Sequence, residues 1–187
     1  MNKIGNEVCR VGRFLLASLI LAAGVQAVQA DATRIKMLDT SASGPLAFEP
    51  NFLKARVGDT VIFEPTQKGG HSTVSLLVPP GAQAWSGVAD KETRVTLSKE
   101  GVYLYACAAH KMMGMVGVIQ VDNPVNLEAA KQVAVQEASK FVMNKDRFEK
   151  ELAPGQIVLN WAEPGRHQRQ IWALLIPVFA ECFRAAS

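Results

Sequence analysis

Between residue 31 and about residue 121 the chain alternates apolar and polar positions in short runs. Residues 34–38 (RIKML) alternate, as do 53–57 and 60–63 on either side of Gly58-Asp59, a turn signal. Residues 74–78, 94–97 and 102–105 follow, and then 116–121 (VGVIQV). Strands of four to seven residues separated by Gly, Pro and Asp turns predict a two-sheet antiparallel sandwich. No internal repeat is visible, and no strand–helix alternation asks for a parallel sheet.

The period changes after Asp122. Asn126 is placed to N-cap a helix, with Glu128 early in it, where negative charge suits the helix dipole. Leu127, Ala130, Ala134, Phe141 and Val142 form a broken helical stripe. Residues 144–152 read as a short, highly charged second helix whose Phe148 and Leu152, at i and i+4, can pack onto the sandwich. The domain is expected to close near Ala153, before the breaker pair Pro154-Gly155.

The two ends of the chain differ from this middle. Lys3, Arg10 and Arg13 precede an uncharged apolar run at 14–25, and Val28-Gln29-Ala30 offers a small-residue cleavage site. Twelve residues fall short of the roughly 20 that span a bilayer, which favours a cleaved export signal over a membrane anchor. Export to a periplasm is the expectation, with cleavage after Ala30. At the other end, 171–183 (IWALLIPVFAECF) is apolar but interrupted by Pro177. The chain thus divides into a signal peptide (1–30), a domain (31–153) and an atypical tail (154–187) expected to be poorly ordered. Trp161, Trp172 and Phe179 are the tail's candidate surface anchors.

Composition sets limits once the chain is divided. The whole chain of 187 residues carries a formal charge of +3, with 49% hydrophobic, 20% charged and 7% aromatic residues. That excludes a wholly disordered chain and argues against a nucleic-acid surface. Residues 31–153 hold 14 basic and 14 acidic residues, so the domain itself is neutral and global basicity says nothing of partners. Of the three cysteines, Cys9 leaves with the signal and Cys182 lies in the tail, which leaves Cys107 alone in the domain. A disulfide scaffold is excluded, and a lone thiol in an oxidising compartment needs a chemical reason.

The segment 103–121, YLYACAAHKMMGMVGVIQV, supplies one. Cys107, His110 and Met115 are spaced C-x2-H-x4-M between two predicted strands. His71, after Lys68-Gly69-Gly70, is the domain's other histidine. A thiolate and two imidazoles form the trigonal set that suits copper, and a weak axial methionine completes a blue-copper site. Zinc sites pair Cys and His differently and rarely use methionine. Cys107-Ala108-Ala109-His110 is not the C-x-x-C-H of covalent haem. A Cys/His nucleophile would need an orienting Asn or Asp, and none is identifiable.

These residues resemble the pseudoazurins, blue-copper proteins of the cupredoxin superfamily, over about 120 residues from Arg34 to Ala153. The resemblance is carried by Phe48-Glu49-Pro50, by residues 54–61 (KARVGDTV), by Lys68-Gly69-Gly70-His71, by the 107–115 loop, and by two helices opening near Asn126-Leu127. It implies a Greek-key cupredoxin β-sandwich of about eight strands, all-β apart from two short C-terminal α-helices. It implies one copper ion, cycling between Cu(I) and Cu(II), with His71, Cys107 and His110 as equatorial ligands and Met115 as the axial one. Met113 is the rival axial ligand, because C-x2-H-x2-M is the amicyanin spacing.

The resemblance also implies a non-enzymatic, monomeric electron shuttle with no membrane span in its mature form. Partners would be periplasmic redox proteins such as copper nitrite reductase or c-type cytochromes. Electrons would pass through the His110 edge at an apolar patch, for which Ala108, Ala109, Met112, Met113, Pro79 and Pro80 are candidates, with Lys68 and Lys111 as a docking rim. A copper carrier using the same ligands is the alternative, kept open by the methionine-rich 111–115 segment. The chain departs from the family in three places. Ser72 stands where Asn usually follows the first histidine, Ala108-Ala109 replaces Thr-Pro, and Gly69-Gly70 adds a glycine before His71. The second departure restores a backbone N–H, and Ala109 N–H is expected to donate to the Cys107 sulfur.

Overall fold

The computed structural model describes residues 31–159. The expected export signal with Cys9, the cleavage expected after Ala30, and residues 160–187 with Trp161, His167, Trp172, Phe179 and Cys182 lie outside the described residues.

Eight strands form two four-stranded sheets. The first sheet runs β2 (Gly44–Glu49), β1 (Ala32–Ser41), β4 (Thr60–Pro65), β6 (Thr93–Thr96). The second runs β3 (Phe52–Ala55), β8 (Val116–Val121), β7 (Gly101–Ala106), β5 (Val74–Leu77). The antiparallel expectation is corrected: β1 pairs parallel with β4, and β3 parallel with β8. Each such pair joins strands distant along the chain, where a long connection makes the parallel crossover feasible. β2 escaped the pattern because Gly44, Pro45 and the positive φ of Leu46 (50°) break its alternation.

The period-2 positions face inward as the alternation requires. Ile35 and Met37 of β1, Val61 and Phe63 of β4, and Val95 of β6 meet Tyr103, Tyr105, Ile119 and Val121 of the second sheet. Tyr105 meets Phe48 and Phe63 edge-on, with ring centroids 4.8 and 5.0 Å apart. Such aromatic pairs add ~0.5–1.5 kcal/mol each beyond the area they bury. Cys107 and Met115 belong to this same core.

β7 and β8 are buried along their whole length because a second layer covers their outer face. Val102, Leu104, Val116 and Val118 pack there against helix α1 (Leu127–Ala138) and the short helix α2 (Arg147–Glu151). Ala130, Ala134, Phe141, Phe148 and Leu152 supply the apolar contacts expected of the two helices, while Val142 is exposed. Asn126 precedes α1 but does not cap it with its side chain. Its amide instead pairs with the backbone of Val102, accepting the N–H at 2.7 Å and donating to the carbonyl at 2.9 Å. The strand backbone offers a donor and an acceptor together, which suits the two ends of one amide.

The packed chain continues past Ala153. Ile157 is buried with the helices, and the Gln120 amide pairs with both backbone groups of Val158 at 2.7 and 2.9 Å. The first residues of the expected tail therefore belong to the domain, because the buried Gln120 needs them as partners. Among the described residues no helix is long and apolar enough to cross a membrane.

Candidate metal centre

The register of the second sheet assembles the site. β7 and β8 pair Ala106 with Val116, so Cys107 and Met115 are the next residues outward. Cys107 N–H donates to the Met115 carbonyl at 2.9 Å, closing the loop at its neck. β5 pairs Val74 with Ala106, which brings the segment before β5, with His71, beside Cys107. His110 lies in the exposed turn after Cys107, ahead of a single 3-10 turn at Lys111–Met113.

The donor atoms of His71, Cys107 and His110 lie within 4.8 Å of one another. Cys107 Sγ is 3.9 Å from His71 Nδ1 and 3.4 Å from His110 Nδ1. His71, Cys107 and Met115 are fully buried, and His110 is partly exposed. A soft thiolate and two imidazole nitrogens converging in an apolar core, with a buried thioether next in the register, is a donor set that fits copper. Met113, the rival axial residue, is 39% exposed, whereas Met115 is fully buried in the core.

The electrostatics favour a neutral, ligating imidazole at His110. Burial and the neighbouring His71 ring hold His110 below the ordinary histidine pKa, against an opposing pull from Asp39. His71 Nε2 lies 3.0 Å from Asp39 Oδ1. With the proton on Nε2, Nδ1 faces the cysteine as a free lone pair.

The supporting shell comes largely from residues that carry no local sequence signal. Asp90 Oδ1 accepts the N–H groups of Gly70 and His71, both at 3.1 Å, and its own N–H donates to the His71 carbonyl at 2.7 Å. Across the site, Arg147 of α2 is buried and donates to the carbonyls of Leu46 and Gly114 at 2.7 and 2.6 Å. Asn144 donates to the Met113 carbonyl at 2.9 Å, and Val142 N–H to the Met112 carbonyl at 2.8 Å. The segment joining the helices therefore holds the 112–114 loop. Gly114 needs its glycine twice over: φ is +68°, and a Cβ would stand 2.7 Å from the Met143 carbonyl oxygen.

Three expectations need correcting. The backbone donor to the Cys107 sulfur is Ser72 N–H at 3.5 Å; among the described residues Ala109 N–H makes no such bond. Ala108 and Ala109 sit in an exposed turn, while the buried Ser72 segment covers the sulfur. Pro79 is buried and packs near Gly101, at the far end of β7 from Cys107, about 20 Å away by strand rise. Pro79 and the adjoining Pro80 are therefore not part of a surface around His110. Lys111 is not a free rim charge: it bridges to Glu137 of α1 at 3.2 Å. Ala108, Ala109, Met112 and Met113 are exposed beside His110, and Lys68 is exposed beside the His71 loop.

Residues 35–122 match the model for copper binding proteins of the plastocyanin/azurin family. The chain is 38% identical to the pseudoazurin of Methylorubrum extorquens over 126 residues, 65% of this chain and 85% of that protein. The crystal structure of native pseudoazurin from Hyphomicrobium denitrificans superposes with a TM-score of 0.56 at 33% identity, covering 65% of this chain and 95% of the other. A pseudoazurin from Sinorhizobium superposes with a TM-score of 0.52 at 46% identity, covering 54% and 81%. With the ligand-type residues gathered at one end of a two-sheet sandwich, these matches establish that the chain belongs to the pseudoazurins, blue-copper proteins of the plastocyanin/azurin family.

Proposed function

We propose that this protein is a periplasmic carrier of single electrons between redox proteins, with one copper that His71, Cys107, His110 and Met115 would hold. The observation that carries this reading is the asymmetric burial of the donor set. Three of the four side chains are sealed in the core, and only His110 reaches the surface, beside Ala108, Ala109, Met112 and Met113.

When bound, the copper supplies a one-electron Cu(I)/Cu(II) couple. The chain does the rest. The core excludes water from the thiolate, and the paired strands β7 and β8 hold Cys107 and Met115 in fixed register, so the donors need not move far when charge changes. His110 offers a ring edge through which an electron leaves without exposing the sulfur. The apolar residues around it form a small contact that a partner can enter and leave quickly. Lys68 adds local positive charge for an acidic partner in an otherwise neutral domain.

Copper nitrite reductase or a c-type cytochrome suits that surface. The N-terminal apolar run supports export, with Asp31 as the first residue after cleavage. The domain is then residues 31–153 with the adjoining strap to Val158, and the remaining tail is an appendage. Absorption and EPR spectra of the copper-loaded protein test the centre. A strong thiolate-to-copper band near 600 nm, on the order of that of blue-copper sites, and a reversible couple are expected. A colourless oxidised form would favour a Cu(I) carrier instead. Mass measurement of the exported protein tests cleavage after Ala30.

A further inference from the structure

We propose that Asp39 is a positioning residue of the copper centre: its carboxylate accepts the His71 Nε2 proton, commits that ring to the metal through Nδ1, and reaches it through space that Gly69 leaves open. The proposal rests on His71 being a copper ligand, as proposed above.

Several independent features meet at this contact. Asp39 Oδ1 is 3.0 Å from His71 Nε2. The imidazole is completely buried, while the Asp39 side chain is 51% exposed. The carboxylate therefore has one oxygen on the ring, and its water-facing side is solvated. It does not carry the full cost of a buried charge.

Asp39 is also held from behind. Gln67 Oε1 accepts the backbone N–H groups of both Asp39 and Thr40. That fixes the end of β1, which pairs in parallel with β4 just before Gln67. Gly69 then supplies the space. A Cβ at residue 69 would overlap Asp39 Oδ1 and stand 3.0 Å from His71 Nε2. The second glycine before His71, which departs from the family pattern, thus has a physical reason: a side chain at 69 would push the carboxylate off the ring.

Metal-ligating histidines commonly donate their second N–H to such an outer partner, which fixes tautomer and orientation and raises ligand basicity. A carboxylate does more than a neutral acceptor. Its negative charge, relayed across the ring, favours the more positive oxidation state of the metal and so lowers the midpoint potential. Asp90 fixes the backbone of the same loop, and Asp39 fixes the ring, so the two carboxylates divide the task.

The test uses the full-length protein and three variants. Asp39→Asn keeps the shape and an acceptor oxygen but removes the charge. Asp39→Ala removes both, and Gly69→Ala displaces the carboxylate. In the metal-free parent, nitrogen-15 NMR should show His71 protonated at Nε2, and Asp39→Ala and Gly69→Ala should lose that protected proton. Asp39→Asn should keep it. With copper bound, all three variants should have a higher midpoint potential than the parent. Titration with Cu(II) should show affinity falling by about 10- to 100-fold in Asp39→Ala and less in Asp39→Asn.

Thermal unfolding of each variant separates this from a role in packing alone. A lowered melting temperature with unchanged potential and Cu(II) affinity overturns the proposal, as does an Nδ1-protonated His71 in the parent. A parent without the thiolate-to-copper band overturns the ligand assignment itself. A parent that has the band, paired with an Asp39→Asn variant of unmoved potential, overturns only the role of Asp39.

Discussion

The buried guanidinium of Arg147 donates to the carbonyl of Gly114 at 2.6 Å, joining α2 to the residue before Met115. A second nitrogen reaches the Pro45 carbonyl at 3.3 Å. One side chain thus ties α2, the start of β2 and the metal loop together. Burial holds this guanidinium below the ordinary arginine pKa, against the pull of Glu151 and Asp146. Arg147→Ala leaves the buried Gly114 carbonyl and the part-buried Leu46 carbonyl without this partner and should cost roughly 2–4 kcal/mol in denaturant unfolding. It should also broaden the EPR signal of the copper-loaded protein, because the Gly114–Met115 peptide loses its anchor. An unaltered spectrum would limit Arg147 to a structural role.

Met115 and Met113 compete for the axial position on sequence spacing alone. Met115 is buried in the core and Met113 is exposed, which favours Met115. Met115→Leu should raise the midpoint potential, since an axial donor that helps the oxidised metal is gone. Met113→Leu, at an exposed position, should leave the potential unchanged. Voltammetry of the two variants decides between them, and the opposite pattern would assign Met113.

Glu137 links stability to pH. Hydrogen bonds from Lys140 and Lys111 hold its carboxyl below the ordinary value of 4.5, against the effect of burial. A lowered native pKa means the unfolded state binds more protons at acid pH. The stabilisation is therefore present above about 4.5 and is lost as pH falls through the native value. Glu137→Gln should lower stability at pH 7 by about 0.5–1 kcal/mol, a figure already reduced for the partly exposed lysines. The two proteins should unfold alike once pH drops below the native pKa. A gap that persisted in acid would mean the carboxylate acts by shape, not charge.

Met112 is 49% exposed beside His110, on the face proposed for docking. Met112→Lys places a solvated charge in the apolar contact without touching a ligand. The midpoint potential and visible spectrum should not change, while the second-order rate of electron exchange with a redox partner should fall. In stopped-flow measurements, an unchanged rate would move the docking face elsewhere.

The chemistry of this site was legible because most of it is local. Cys107, His110 and Met115 fall within nine residues, and their types alone narrow the metal to copper. The strand periods, the helical stripe of Ala130 and Ala134 and the i, i+4 pair Phe148–Leu152 were equally readable. They depend on which side of one element a residue lies. β2 was not, because its glycine, proline and left-handed Leu46 erase the alternation.

By itself, the sequence determined the sandwich, the donor set and the neutral charge of the domain, each carried by runs of neighbouring residues. Only the tertiary structure decided which sheet pairs are parallel, that Pro79 lies at the wrong end of β7, and that Ser72 and not Ala109 covers the sulfur. It also decided that Arg147 turns inward and that Asp39 meets His71 across 32 residues. The physical reason is the same in each case. A hydrogen-bond partner brought from a distant strand or helix depends on register and crossover, and no spacing along one element records it.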